Sequence, residues 1–99
     1  MKSIARCKSF AVLETIDGMQ TASMRLARGQ ESGKFGNEHP GSPQVMLVVS
    51  GVVRAEIGGS SFVMHPGDSV IVPKHVAHRF VGVSDEPALT FNVYAPPAY

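Results

Sequence analysis

Punctuation is what most restricts the fold of this chain. Short runs rich in β-branched and other apolar residues alternate with turn signals, and no window carries the 3.6-residue period of an amphipathic helix. The runs are Phe10–Thr15, Thr21–Ala27, Val45–Val49, Val52–Ile57, Ser61–Met64, Ser69–Val72, His78–Val81 and Leu89–Tyr94. Asp17-Gly18 marks a turn. Gly58-Gly59 reads as a tight hairpin of the I′ or II′ type, because glycine reaches positive φ without steric cost. His65-Pro66-Gly67-Asp68 is a further turn, with Asp68 expected to cap it through its own side chain. Ser84–Pro87 is the last turn, and Pro96-Pro97 ends the final strand, since neither proline can donate to a ladder. Eight short strands in 99 residues predict an all-β sandwich or barrel.

That length fits one domain over residues 1–99. The 43% hydrophobic and 17% charged content is that of a globular chain with one modest core. Nine Lys and Arg against eight Asp and Glu give a net charge of +1, without the concentrated basic field of a nucleic-acid binder. Lys2, Arg6 and Lys8 read as a solvated face. No run approaches a membrane span, and Phe10–Leu13 is too short for the apolar stretch of a signal peptide. A lone Cys7 makes no intrachain disulfide and fits a reducing compartment, so a cytoplasmic protein is expected.

Several chemistries fail on inspection. The loop 28–36 contains Gly33-Lys34, but Gly29 lies one residue too near for a phosphate loop and Phe35 follows the lysine. There is no Gly-x-Ser-x-Gly elbow, no cysteine pair for zinc, and no reason for Asp85 and Glu86 to pair as acid and base. The histidines are more informative. Asn37-x-His39 precedes one strand and Gln44 opens it, while His75-x-x-His78 opens another. Strand parity puts Gln44 on the face of Met46 and Val48, and His78 on the face of Phe80. His65 and His75 read as exposed turn residues.

These spacings resemble the two motifs of the cupins. The first reads Asn37-x-His39, four residues, Gln44, six residues, Gly51, where cupins place His-x-His, Glu and Gly. The second reads Gly67, five residues, Pro73, one, His75, two, His78, three, Gly82, where cupins have Gly at the third position and Asn at the last. Val93-Tyr94-Ala95-Pro96-Pro97 is similar to a common cupin ending, and the resemblance covers about residues 20–97. It implies a double-stranded antiparallel β-barrel of the jelly-roll type, often a homodimer, with a site inside the barrel. An unpaired edge on Phe10–Thr15 also points to a homodimer.

Carried over by position, the family's metal ligands become Asn37, His39, Gln44 and His78, with Met46 and Phe80 lining the same pocket. Two imidazoles and two neutral amides replace three imidazoles and a carboxylate. The attraction for a dication falls with the lost charge. Glu38, the nearest carboxylate, is turned away by parity, which disfavours the two-His, one-carboxylate iron site. The divalent transition metals in question are Zn, Ni, Cu, Fe or Mn. The reading is therefore a small-molecule-binding barrel with a partly degenerate metal site. The alternatives are a metal-dependent dioxygenase or isomerase with an unusual coordination sphere, and a non-catalytic sensory or structural module.

Overall fold

The computed structural model describes residues 1–33, 35–36 and 40–99, and the main chain only of Arg6. The expected ligands Asn37 and His39, with Glu38 between them, lie outside the described residues. Among the described residues, a single 3-10 turn at Ile4–Arg6 is opened by the Ser3 side chain accepting from the Ala5 amide, and all other regular structure is β. The strands are β1 (Phe10–Ile16), β2 (Met19–Leu26), β3 (Gln44–Ser50), β4 (Val53–Ile57), β5 (Ser60–Met64), β6 (Ser69–Val72), β7 (His78–Gly82) and β8 (Ala88–Tyr94). Each of the eight expected runs forms a strand.

They make two antiparallel sheets, ordered β1-β2-β8-β3-β6 and β5-β4-β7. The turns follow their chemistry. Asp17 and Gly18, with φ of 53° and 76°, close the β1–β2 hairpin, as a primed turn requires. Asp68 accepts the His65 amide at 2.8 Å through Oδ2, the expected cap. The 28–36 segment is tied to the free edge of β7: Gly82 donates to the Gln30 carbonyl, Ser32 to the Phe80 carbonyl and His78 to the Gly36 carbonyl. Arg79 adds side-chain bonds to Glu56 and to Glu31 of that segment.

The core lies between the sheets, where Leu26, Met46, Val48, Val53, Val72 and Phe80 are at most 2% exposed. Each such side chain contributes roughly 1.5–3 kcal/mol on burial. Across the large sheet the inward residues stand in rows. Gln20, Tyr94 and Gln44 make one row, Ala22, Asn92 and Met46 the next, and Met24, Thr90 and Val48 the third. The rows run from polar at one end of the barrel to apolar deeper in. That gradient positions the candidate site.

Candidate functional site

Gln44 opens β3 and His78 opens β7, so the two sheets bring them to one end of the barrel from opposite sides. Both are buried, at 3% and 7% exposure. They share a cavity of about 30 Å³ whose other walls are Phe10, Met24, Ser32, Tyr94 and Tyr99. Two of the four expected ligands thus meet. Met46 and Phe80 stand one inward position further along β3 and β7 and are packed into the core; the Phe80 ring centroid is 6.1 Å from that of His78. His65 and His75 are exposed, as read from their turns.

His78 Nδ1 lies 3.1 Å from the Val76 carbonyl oxygen. A carbonyl only accepts, so Nδ1 carries the proton and Nε2 the lone pair in the neutral ring. Gln44 is held on the other side. Its Nε2 donates to Asn92 Oδ1 at 2.9 Å, Asn92 Nδ2 donates to Thr90 Oγ1 at 3.0 Å, and Thr90 Oγ1 contacts the Met24 carbonyl at 3.4 Å. Asn92 and Thr90 are wholly buried. A buried amide left unpaired would cost about 1–3 kcal/mol, so the chain of bonds is what makes these polar residues tolerable in the interior.

Sequence reasoning did not single out Thr90, Asn92 or Gln20. For Thr90 and Asn92 the only signal was two polar residues at alternate positions of β8, opposite the apolar Leu89, Phe91 and Val93.

A larger cleft of about 270 Å³ adjoins the cavity. Phe10, Met24, Ser32 and Tyr99 line both, and the cleft adds Arg25, Gln30 and Glu31. The small cavity has room for about one water molecule; the cleft approaches the size of a small-ligand site. Tyr99 stands at their boundary, its ring 4.8 Å from that of Phe10 and 5.3 Å from that of Tyr94.

A metal bound as in the family would take His78 Nε2 and Gln44 Oε1 from the described residues, both neutral donors. Among those residues no three His, Cys, Asp or Glu side chains converge. This donor set fits an imidazole-preferring ion weakly and supplies no carboxylate. Nor, among the described residues, is any helix long and apolar enough to cross a membrane.

Comparison with known proteins agrees with this architecture. A protein from Bacillus halodurans superposes with a TM-score of 0.88 at 20% identity, covering 97% of this chain and 76% of that one. KdgF from Halomonas sp. gives 0.79 at 20% identity, with 89% and 79% covered. A sugar phosphate isomerase of the cupin superfamily from Silicibacter pomeroyi gives 0.74 at 21% identity, covering 90% of this chain and 60% of that one. At these identities the likeness is one of fold. No curated protein matches the chain. The cupin domain model matches residues 22–94, the span from the second strand to the last, and the chain belongs to the cupin domain family.

Proposed function

We propose that this protein binds a small, neutral, polar organic molecule between its sheets, with the polar end at Gln44 and His78 and the body in the adjoining cleft. The observation that carries this reading is the composition of the inner cavity. An imidazole and an amide face it among aromatic side chains, and no Lys, Arg, Asp or Glu among the described residues lines it. Such walls suit hydroxyl groups on an apolar frame, as in a sugar or polyol, better than a phosphate, which calls for cations. One structural neighbour is named a sugar phosphate isomerase, which agrees with a sugar-like ligand and differs in the charge.

The test is protein-observed NMR titration with neutral monosaccharides and polyols on the wild type, Gln44→Met and His78→Phe. Binding should map to Gln44, His78 and Tyr99 amides and weaken about tenfold or more in each variant, the loss of one or two hydrogen bonds. Binding that is indifferent to both substitutions would overturn the reading.

A metal-dependent dioxygenase or isomerase is the second reading. The Nδ1 proton held by the Val76 carbonyl favours it, because it leaves Nε2 as the coordinating nitrogen. A metal there would supply a Lewis acid to a bound carbonyl or hydroxyl group. A non-catalytic sensory or structural module is the third reading, with ligand binding but no turnover.

The same proposal includes a homodimer and a cytoplasmic location. Val45, Val49 and Ile71 are exposed on the outer face of the large sheet, beside half-buried Leu47, Phe91 and Val93. Strand β1 is an open edge. A second copy would cover this apolar surface. Sedimentation analysis of wild type and Ile71→Lys checks it: a wild-type monomer at micromolar concentration would sink the dimer. The buried Cys7 suits a reducing compartment.

A further inference from the structure

We infer that Thr90 and Asn92, neither of which reaches the cavity, set the hydrogen-bonding sense of the site, so that Gln44 presents its carbonyl oxygen and selects ligands that bring a donor. This deepens the proposed function and rests on it for the ligand.

The argument starts at the far end of the chain of bonds. The Met24 carbonyl can only accept, so the proton in its contact with Thr90 Oγ1 comes from the threonine hydroxyl. Having one proton, that hydroxyl meets Asn92 as an acceptor, and the Asn92 amide turns its Nδ2 toward it. Asn92 Oδ1 is then the end that faces Gln44, and Gln44 answers with Nε2.

Gln44 Oε1 takes no part in this chain. No fully buried side-chain nitrogen or oxygen among the described residues lacks a partner, so Oε1 opens on the cavity that Gln44 lines. The three side chains lie in successive rows of the large sheet, Gln44 beside Tyr94, Asn92 beside Met46 and Thr90 beside Val48, and the rows keep them in register. An acceptor with no described cation lining its cavity calls for a hydroxyl- or amine-bearing ligand and disfavours one that offers only acceptors.

The test has two parts. In nuclear Overhauser spectra of the full-length chain, the Gln44 side-chain amide protons should contact Asn92, and the Asn92 amide protons should contact Thr90. Gln44 amide protons that contact the His78 ring instead would overturn the inference, whatever ligand binds. In Thr90→Val the contact from Asn92 should be lost and the Gln44 amide signals should shift, whereas Thr90→Ser should retain the wild-type pattern. An unchanged pattern in Thr90→Val would remove Thr90 from the role.

The second part uses ethylene glycol and dimethyl sulfoxide as probes. The diol should shift the Gln44 and His78 signals, with an affinity about tenfold lower in Thr90→Val. The sulfoxide, which only accepts, should not shift them in the wild type. Equal response to both probes would overturn the selectivity. A correct amide pattern with no response to the diol would instead count against the ligand reading.

Discussion

Gln20 holds Tyr99 by both ends of its amide. Its Oε1 accepts from the Ala98 and Tyr99 amides at 3.0 and 2.9 Å, and its Nε2 donates to the main-chain oxygen of Tyr99 at 2.9 Å. The glutamine is 2% exposed; apart from a bond from Nε2 to Thr15 Oγ1 of β1 at 3.0 Å, its side chain is spent on a segment outside the sheets. The consequence is positional. Residues 98–99 are pinned over the first row of inward side chains, and the Tyr99 ring is held between Phe10 and Tyr94 at the boundary of cavity and cleft.

Gln20→Ala should therefore release Tyr99 more than it disturbs the barrel. The expected cost is about 1–3 kcal/mol from the lost bonds and the groups they leave behind. Chemical denaturation measures that cost. Tyr99 side-chain order parameters should fall while those of Met46 and Phe80 hold. Uniform loosening of the core would show that Gln20 supports the sheet itself rather than the segment.

Gly51 follows β3 and Gly82 ends β7, both where the backbone passes close to another segment. A Cβ on Gly51 would stand 2.6 Å from Ala88 Cα, and the φ of 73° is unfavourable for any other L-residue. On Gly82 it would stand 2.4 Å from the Ala27 carbonyl oxygen. Gly51→Ala should cost about 3–4 kcal/mol, adding the left-handed penalty to the shift forced on β8. Gly82→Ala has a negligible φ penalty but must push the 26–27 backbone away from β7. Thermal unfolding of both variants tests this; a loss under about 1 kcal/mol at Gly51 would contradict the close approach.

How much of this was legible in the sequence differs by residue. The eight strands followed from turn chemistry, because Asp17-Gly18, Gly58-Gly59 and His65–Asp68 each dictate a local conformation whatever surrounds them. That Gln44 and His78 belong to one site was implied by the resemblance to the cupin motifs, not by the residues alone. The inward face of β8 was not legible. Leu89, Phe91 and Val93 are the apolar set, yet Thr90, Asn92 and Tyr94 are the buried one. Period-2 alternation fixes that two faces exist; which is inside depended here on partners in β2 and β3 that are remote in sequence. The tie of 28–36 to β7 was hidden for a similar reason, since main-chain bonds leave no mark on side-chain pattern. The 3-10 turn at Ile4–Arg6 is too short to show a period.

His75 offers a stabilising change. It is exposed, with φ of 66°, at the position where the cupin motif has glycine. A left-handed conformation costs an L-residue about 1–2 kcal/mol, partly offset by the entropy that glycine loses on folding. His75→Gly should raise stability by about 0.5–1 kcal/mol, read as a higher urea midpoint at unchanged m-value. His75→Val should lower it by more, since branching at Cβ worsens the clash. Destabilisation by glycine would mean that the imidazole makes a contact worth more than the strain.

The missing carboxylate gives the last prediction. A carboxylate about 4 Å from a dication gains about 2 kcal/mol even at the dielectric of water, more than a factor of ten. Gln44→Glu should thus raise Zn²⁺ affinity at least tenfold, measured by calorimetry. The substitution also sets a negative oxygen against Asn92 Oδ1, and the amide must turn over so that Nδ2 faces the new carboxylate and the Thr90 hydroxyl donates to Oδ1. Elemental mass spectrometry on protein purified without chelator or nickel resin supplies the comparison. Wild type should carry well under one metal per chain and the Gln44→Glu variant close to one. Stoichiometric metal in the wild type would mean that imidazole and amide donors suffice, and the enzyme reading would then displace the binding one. Equal affinity in both proteins would mean that position 44 does not face the metal, and the carry-over of that ligand from the family would fall.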